Sequence, residues 1–171
     1  MAKGRPLELE AELIEAFRRS GRVTEYLVSI VPQTLWRLDP PAGRGRSIAA
    51  IVAHIQSVRR TFARMGGASP AALDRRTVTP AQAQKAIRQS TDQLTSLFES
   101  AFRAGQARVK CMPRRAVDML TYLVQHDAHH RGQICMLAKD LGHEFSAGDM
   151  TLIWGWKSLP ASLAPPRAKA K

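Results

Sequence analysis

The sequence from Thr121 to Cys135 reads TYLVQHDAHHRGQIC and holds three of the five histidines of the chain. It lies within the longest helical pattern of the sequence, in which apolar residues recur every three or four positions. His126 and His130 are four residues apart, so on a helix their Cβ atoms lie about 5–6 Å apart on one face. Two ring nitrogens placed in this way can reach one metal ion at roughly 2.0–2.1 Å. This stretch therefore predicts a long helix that carries part of a metal site.

A helical wheel distinguishes the three histidines of this helix. With about 100° between residues, the apolar centre of the helix lies near Leu123 and Ile134. His130 falls within about 30° of this centre and His126 within about 70° on the same side. His129 lies roughly 130° away, so we expect it to face solvent or a neighbouring loop. The wheel therefore favours His126 and His130 as the pair that points toward a seam between helices.

His54 and His143 are the histidines outside this stretch. His54 lies on a second predicted helix, at the edge of its apolar stripe, where it could join His126 and His130 in the seam of a helix bundle. The alternative is that His54 is a hydrogen-bonded structural residue at the edge of the core, which is the commoner role of a single histidine. A histidine pair four residues apart is also a weak metal motif when it stands alone. Spacing leaves both interpretations open.

Asp127 follows the first histidine of the pair, where the zinc-protease pattern requires glutamate. The side chain of aspartate is one methylene shorter than that of glutamate. On the helical wheel, Asp127 also points toward the core rather than toward a metal. We therefore do not assign Asp127 as a general base. We predict instead that it forms a hydrogen bond or an ion pair, with Arg131 or with a ligand histidine.

Helical patterns continue on the N-terminal side of this stretch. Together with it they predict four amphipathic helices, at about 7–31, 48–65, 80–104 and 115–142. Ser47 and Thr79 are the expected N-caps of the second and third helices, and Pro80 suits the first helical position. Ser20 and Gly21 weaken the first pattern, which predicts a kink or break there.

Four such helices without a convincing strand indicate an all-α fold, an up-down four-helix bundle with a long loop after the first helix. Trp36 and Leu38 in that loop are expected to fold back onto the core. Residues 147–156 are predicted to be too short and irregular for a fifth core helix. We expect Trp154 and Trp156 to cover one end of the bundle.

Composition limits the class of protein. An apolar content of 44% suits a globular domain, which we place at residues 7–157, between a disordered arm at 1–6 and a basic tail rich in Pro, Ala and Lys at 158–171. No signal peptide and no apolar run of the ~20 residues that span a membrane is visible. Cys111 and Cys135 are too few for a disulfide framework, and we expect both to be ordinary thiols. These features predict a cytoplasmic protein that does not enter a membrane.

A formal charge of +12 makes nucleic acid a conceivable partner. Part of this charge lies in arginine pairs, at Arg18-Arg19, Arg59-Arg60, Arg75-Arg76 and Arg114-Arg115. No helix-turn-helix, zinc-finger or RNA-binding motif accompanies them. We therefore predict that these pairs lie on solvated helix faces, and a nucleic-acid-associated protein is the disfavoured alternative.

Three segments resemble the DinB / YfiT-like family of metal-dependent bundle proteins. They are IVAHI at 51–55, HDAHHRGQI at 126–134 and LIWGW at 152–156, and the resemblance extends over about residues 8–157. It implies a four-helix bundle with one divalent metal ion held by His54, His126 and His130. It also implies that His129 is not a ligand. Two supporting roles follow: Gly132 would let a neighbouring helix approach closely, and Gln133 would support the site by hydrogen bonding.

The resemblance also suggests a class of activity. Some members of the family are thiol transferases or isomerases that use a low-molecular-weight thiol, so a metal-dependent enzyme of this kind, acting on a small molecule, is the first hypothesis. Zinc or nickel is the favoured ion, with iron or manganese as alternatives, and a homodimer is expected. The second hypothesis is a metal-binding bundle without catalysis, with a role in stress response or sensing. No catalytic acid or base is identifiable from the sequence.

Overall fold

The computed structural model of the protein describes residues 7–159, and every regular element within that range is helical. These elements are α1 (Leu9–Ile30), a 3-10 turn (Gln33–Leu35), α2 (Ile48–Met65), α3 (Pro80–Arg103), α4 (Ala116–Asp140) and α5 (Ala147–Ile153). The predicted all-α fold is confirmed. The predicted arm at 1–6 and most of the predicted tail lie outside the described residues. Among the helices of residues 7–159, none is both long and apolar enough to cross a membrane.

The four long helices pack in pairs, α1 against α3 and α4, and α2 against the same two helices. Their apolar faces form two groups of buried side chains. Leu27, Ile48 and Ile134 belong to one group, and Phe17 and Leu94 belong to the other. Burial of these faces supplies the main favourable free energy of folding. The up-down order of the bundle stays a prediction.

The helix starts follow the local sequence. The Ser47 hydroxyl accepts a hydrogen bond from the amide of Ala50 at the start of α2. Thr79 and Gln82 form a reciprocal capping box at the start of α3, with Pro80 at its first position. Both predicted N-caps are confirmed, and they fix where the two helices begin.

Gly21 lies within α1, which continues through this position without the predicted break. A Cβ atom added at Gly21 would lie 2.4 Å from Oγ1 of Thr91 and 3.2 Å from its Cβ. Glycine is therefore the residue that lets α1 and α3 approach each other closely. Gly132 does not have the role that was predicted for it, because a Cβ added there meets no atom within 4 Å. Gly21 and Gly132 thus occupy opposite environments.

Substitution of these glycines by alanine is expected to have opposite effects. Gly21→Ala forces Thr91 or the helix backbone to move, so we expect the free energy of unfolding to fall by about 1–3 kcal/mol. Gly132→Ala adds a methyl group in open space and restricts the unfolded chain, so we expect a gain of about 0.5–1 kcal/mol. Urea unfolding of both variants beside the parent measures these changes. A gain in Gly21→Ala would contradict the close helix contact.

The segments outside the four long helices fit the predictions only in part. Trp36 folds back onto the core as predicted, is 1% exposed and donates a hydrogen bond from Nε1 to the carbonyl of Val78. The prediction for Leu38 was wrong, because its side chain is 46% exposed. Trp154 and Trp156 were also wrongly predicted to cover the bundle, since they are 68% and 80% exposed.

The reason for the exposed tryptophans lies in α5. Residues 147–153 form a helix with a capping box between Ser146 and Asp149, and this helix turns Ile153 toward the core. Trp154, the residue after Ile153, then points about 100° away from the buried side of the helix. The helix is also tied to α1, because the Tyr26 hydroxyl donates a hydrogen bond of 2.6 Å to Oδ1 of Asp149.

The hydrogen bond between Tyr26 and Asp149 predicts that the free energy of unfolding falls at alkaline pH. Burial and the hydrogen bond to Asp149 raise the pKa of Tyr26 to about 12, whereas an unfolded tyrosine titrates near about 10. The contribution of Tyr26 is therefore fully present below about pH 10 and is lost as the pH rises through about 12. We expect Tyr26→Phe to unfold more easily than the parent at about pH 8, with a smaller difference at about pH 11. Urea unfolding at both pH values tests this, and a constant difference would contradict it.

Candidate metal centre

Three histidines from two helices meet in the seam between α2 and α4. His54 comes from α2, and His126 and His130 come from α4. One ring nitrogen from each lies within 4.8 Å of those of the other two. The Nε2 atoms of His126 and His130 are 3.2 Å apart. The structure therefore brings together the three residues that the sequence singled out, and together they could hold a metal ion.

Helix geometry explains this convergence. On α4 the histidine pair lies one turn apart, on the side that also carries the buried Leu123 and Ile134. On α2, Ile51 and Ile55 are buried on either side of His54, which leaves its ring partly exposed at the edge of the stripe. Because the apolar faces of α2 and α4 pack against each other, the histidine rings at the edges of these faces lie together in one seam.

The protonation of the cluster suits a metal ligand set. Burial, helped by the charge of Arg46 and by the neighbouring histidines, lowers the pKa of His54. Burial also lowers the pKa of His130, against the opposing effect of its bond to Gln133. Both rings are therefore neutral at pH 7, which is the form that coordinates metals. Imidazole is a ligand that suits zinc, nickel, iron and copper.

Gln133 fixes the orientation of one ring. His130 donates a hydrogen bond of 2.7 Å from Nδ1 to Oε1 of Gln133. With its proton on Nδ1, the ring presents the lone pair of Nε2 to the other two histidines. The amide nitrogen of Gln133 donates in turn to Nε2 of His129, which is exposed. The hydrogen bond predicted for Gln133 and the outward position predicted for His129 are both confirmed.

Asp127 forms a buried ion pair with Arg59 beside the histidine cluster, and both side chains are completely buried. Asp127 was expected to pair with Arg131 or a ligand histidine, so Arg59 is a partner that the sequence interpretation missed. The prediction that all arginine pairs are solvated is wrong for Arg59. Although burial opposes it, the Arg59 guanidinium holds the pKa of Asp127 below its usual range. Asp127 is therefore a charged structural group.

The guanidinium of Arg59 is surrounded by further partners. It donates to Oγ1 of Thr91 at 2.6 Å and to the carbonyl of Ile87 at 3.2 Å, and it lies 5.5 Å from the centroid of the Phe17 ring. Arg131 is engaged elsewhere, with the hydroxyl of Thr24 on α1. A clue was present in the sequence, because Arg59 follows the buried Ile55 by one helical turn and so shares its inward face.

His126 is positioned by contacts of a different kind. Its Nδ1 atom is buried and has no hydrogen-bond partner among the described residues. The nearest carboxylate oxygen, Oδ1 of Asp127, is 3.8 Å away, which is too far for a hydrogen bond. The Tyr122 ring lies over His126 with a centroid distance of 5.7 Å, and Phe62 packs against Tyr122 at the same distance. Aromatic packing therefore holds this ring.

A comparison with protein families identifies the chain. The profile of the DinB family matches residues 5–158, almost the whole chain. The chain belongs to the DinB family. Neither the curated proteins nor the solved structures contain a match to it.

The two cysteines of this DinB-family protein do not belong to the histidine cluster. Cys135 is half-buried and packs against the core, where burial raises the pKa of its thiol. Cys135 is therefore a small packing residue. Cys111 is exposed in the turn before α4 and adopts a positive φ of 65°. Neither thiol belongs to the group of side chains that could hold a metal.

Proposed function

We propose that this DinB-family protein binds one divalent metal ion through His54, His126 and His130, and that it is a metal-dependent thiol transferase or isomerase acting on a small molecule. The observation that carries this proposal is the approach of three ring nitrogens, from two helices, to within 4.8 Å of one another. Zinc or nickel is the ion we favour, because both accept imidazole ligands, with iron or manganese as alternatives. A low-molecular-weight thiol as co-substrate and a homodimer complete the proposal, and these rest on the family resemblance. The proposed cytoplasmic location rests on the composition of the chain.

The residues around the cluster support such a site. His54, His126 and His130 would hold a divalent ion without neutralising its charge, and the bound ion would lower the pKa of a thiol or water and so supply a nucleophile at neutral pH. Gln133 keeps the Nε2 lone pair of His130 turned toward the other two rings. Tyr122 packs against one side of His126, and Phe62 packs against Tyr122. These residues would orient the ligands.

A metal-binding protein without catalysis is the second candidate, and the state of Asp127 favours it. This carboxylate lies beside the cluster, but Arg59 holds it in an ion pair and keeps it charged. It is therefore a poor general base, and a reaction at this site would have to draw its proton transfer from the substrate or from solvent. A nucleic-acid-associated protein is disfavoured, because one of the arginine pairs that suggested it contains the buried Arg59.

Metal content is the first test. We expect elemental analysis of the untagged protein to give about one divalent ion per chain. His54→Ala and His126→Ala should each lose this ion, because either change leaves two ligands. His143→Ala is the matched control, since His143 packs against Phe145 rather than in the cluster, and it should retain the ion. Absence of metal from the parent after reconstitution would refute the metal site.

Activity is the second test. The metal-loaded parent is incubated with electrophilic or isomerisable small molecules and a panel of low-molecular-weight thiols. Loss of the free thiol and isomerisation of the small molecule are both followed, because an isomerase returns its thiol unchanged. A rate that requires both the ion and the three histidines would support the thiol transferase or isomerase. One bound ion per chain, without any thiol-dependent rate, would favour the non-catalytic candidate.

A further inference from the structure

A pocket of 640 Å³ is lined by Gln133, the hydrogen-bond partner of His130. One wall is the loop before α2, with Arg46, and Ile51 on the first turns of α2. The other wall is the C-terminal half of α4, from His129 to Asp140. The pocket is thus built from the two helices that supply the histidines, on the side of Gln133.

Gln133 joins this pocket to the histidine cluster. Its side chain lines the pocket, and its Oε1 atom accepts the hydrogen bond from His130. Ile51 lies less than one turn from His54 on α2, and it lines the same pocket. A molecule in this pocket would therefore lie next to the cluster.

The walls of the pocket offer one cation, one anion and an apolar surface. Arg46 makes no hydrogen bond or ion pair with any residue between 7 and 159, and its guanidinium is exposed. Met136 is 62% exposed, and Leu137 lies beside it. Asp140 stands at the C-terminal end of the same wall. The pocket therefore combines a free guanidinium with an apolar surface and a nearby negative charge.

These features select the charge and shape of a ligand. A guanidinium presents a planar fork of donors that matches a carboxylate in a bidentate pair. The exposed Met136 offers an apolar and adaptable surface for a hydrocarbon body. Asp140 repels additional negative charge, so a dianion such as a phosphate or phosphonate is less suitable than a monoanion.

We propose that this pocket binds the substrate as a small organic carboxylate, with its carboxyl group on Arg46 and its apolar body along Met136. The proposal rests on the proposed function, because it assigns the substrate class of the same site. Gly132 contributes the floor between these groups, and a Cβ atom added there meets no atom within 4 Å. The absence of a side chain at this position keeps the pocket open.

The test is an NMR titration of the full chain after removal of metal with a chelator. The probes are hexanoate, its neutral analogue hexanamide, and pentylphosphonate. We expect hexanoate to shift the amide signals of Gly132 and Gln133, and to bind about 5- to 10-fold more tightly than hexanamide. Pentylphosphonate should bind more weakly than hexanoate at a pH where it is a dianion.

Variants locate the binding groups. Arg46→Gln should weaken hexanoate binding by about 5- to 10-fold, because it removes the charge-assisted hydrogen bonds. Arg44→Gln is the matched control, since Arg44 is exposed in the same loop but does not line the pocket, and it should bind as the parent does. Gly132→Leu should abolish the shifts at Gln133, because the new side chain fills the pocket.

The proposal is overturned if hexanoate and hexanamide bind equally, if Arg46→Gln and Arg44→Gln behave alike, or if Gly132→Leu still binds the probe. Tighter binding of pentylphosphonate would overturn the assignment of a carboxylate. Because the titration contains no metal, its failure is independent of the metal content of the protein. Equally, if the parent protein binds no metal, the hexanoate shifts should still appear, because the titration does not require the ion.

Discussion

Replacement of Asp127 by alanine is expected to lower the free energy of unfolding by about 3–5 kcal/mol, because the Arg59 guanidinium remains buried without its counter-charge. Both side chains of this pair are fully buried, so neither water nor salt can compensate. A small domain has a total stability of about 5–15 kcal/mol, so this one change removes a large part of it. Urea unfolding of the variant measures the loss.

A half-exposed ion pair in the same molecule provides the comparison. Arg18 and Glu99 are 2.6 Å apart and are 39% and 32% exposed. Glu99→Ala should therefore cost at most about 1 kcal/mol. A further variant, Arg59→Met combined with Asp127→Leu, removes both charges and should recover much of the stability lost in Asp127→Ala. Equal losses in Asp127→Ala and Glu99→Ala would show that burial does not govern the strength of these pairs.

Replacement of Gln133 by alanine is expected to weaken metal affinity by about 10- to 100-fold, although Gln133 is not itself a ligand. The change removes the 2.7 Å hydrogen bond that fixes the proton on Nδ1 of His130. Without it, Nε2 is no longer held with its lone pair toward the cluster. Competition with a chromophoric zinc chelator measures the affinity of the parent and the variant.

Two further variants separate orientation from a general effect on the helix. His129→Ala removes the other partner of Gln133 but leaves its bond to His130, so we expect it to bind zinc almost as the parent does. His130→Ala removes the ligand, and adding Gln133→Ala to it should cause no further loss, because Gln133 acts through that ring. An additional loss in the double variant would mean that Gln133 supports the site by another route.

Local features of this fold were predictable from the sequence. The caps at Ser47 and Thr79 depend on residues within three positions of each other, so the sequence contains all of the relevant contacts. The same holds for His126 and His130, whose separation of one turn needs only a helix. The placement of His54 required in addition that α2 and α4 pack with their histidine edges together, and here the family resemblance supplied what the spacing left open.

The partner of Asp127 could not be chosen from the sequence alone. The wheel directed Asp127 toward the core, and a buried carboxylate requires a cation. However, the chain has 26 lysines and arginines, and only the packing of α2 against α3 and α4 selects Arg59. The prediction for Trp154 and Trp156 was wrong for a related reason, since their large apolar side chains suggested burial. Trp154 is exposed because it directly follows Ile153, which faces the core, whereas Trp156 lies beyond the end of α5.

The contacts of Arg59 have a consequence for the cooperativity of the domain. This one side chain, on α2, contacts Phe17 on α1, Thr91 on α3 and Asp127 on α4. No long helix can detach without breaking a contact of the same buried charge. We therefore expect the slowest-exchanging amides of all four long helices to share one opening free energy, equal to that of global unfolding. Helix α5, which Arg59 does not contact, should open separately and at a lower free energy.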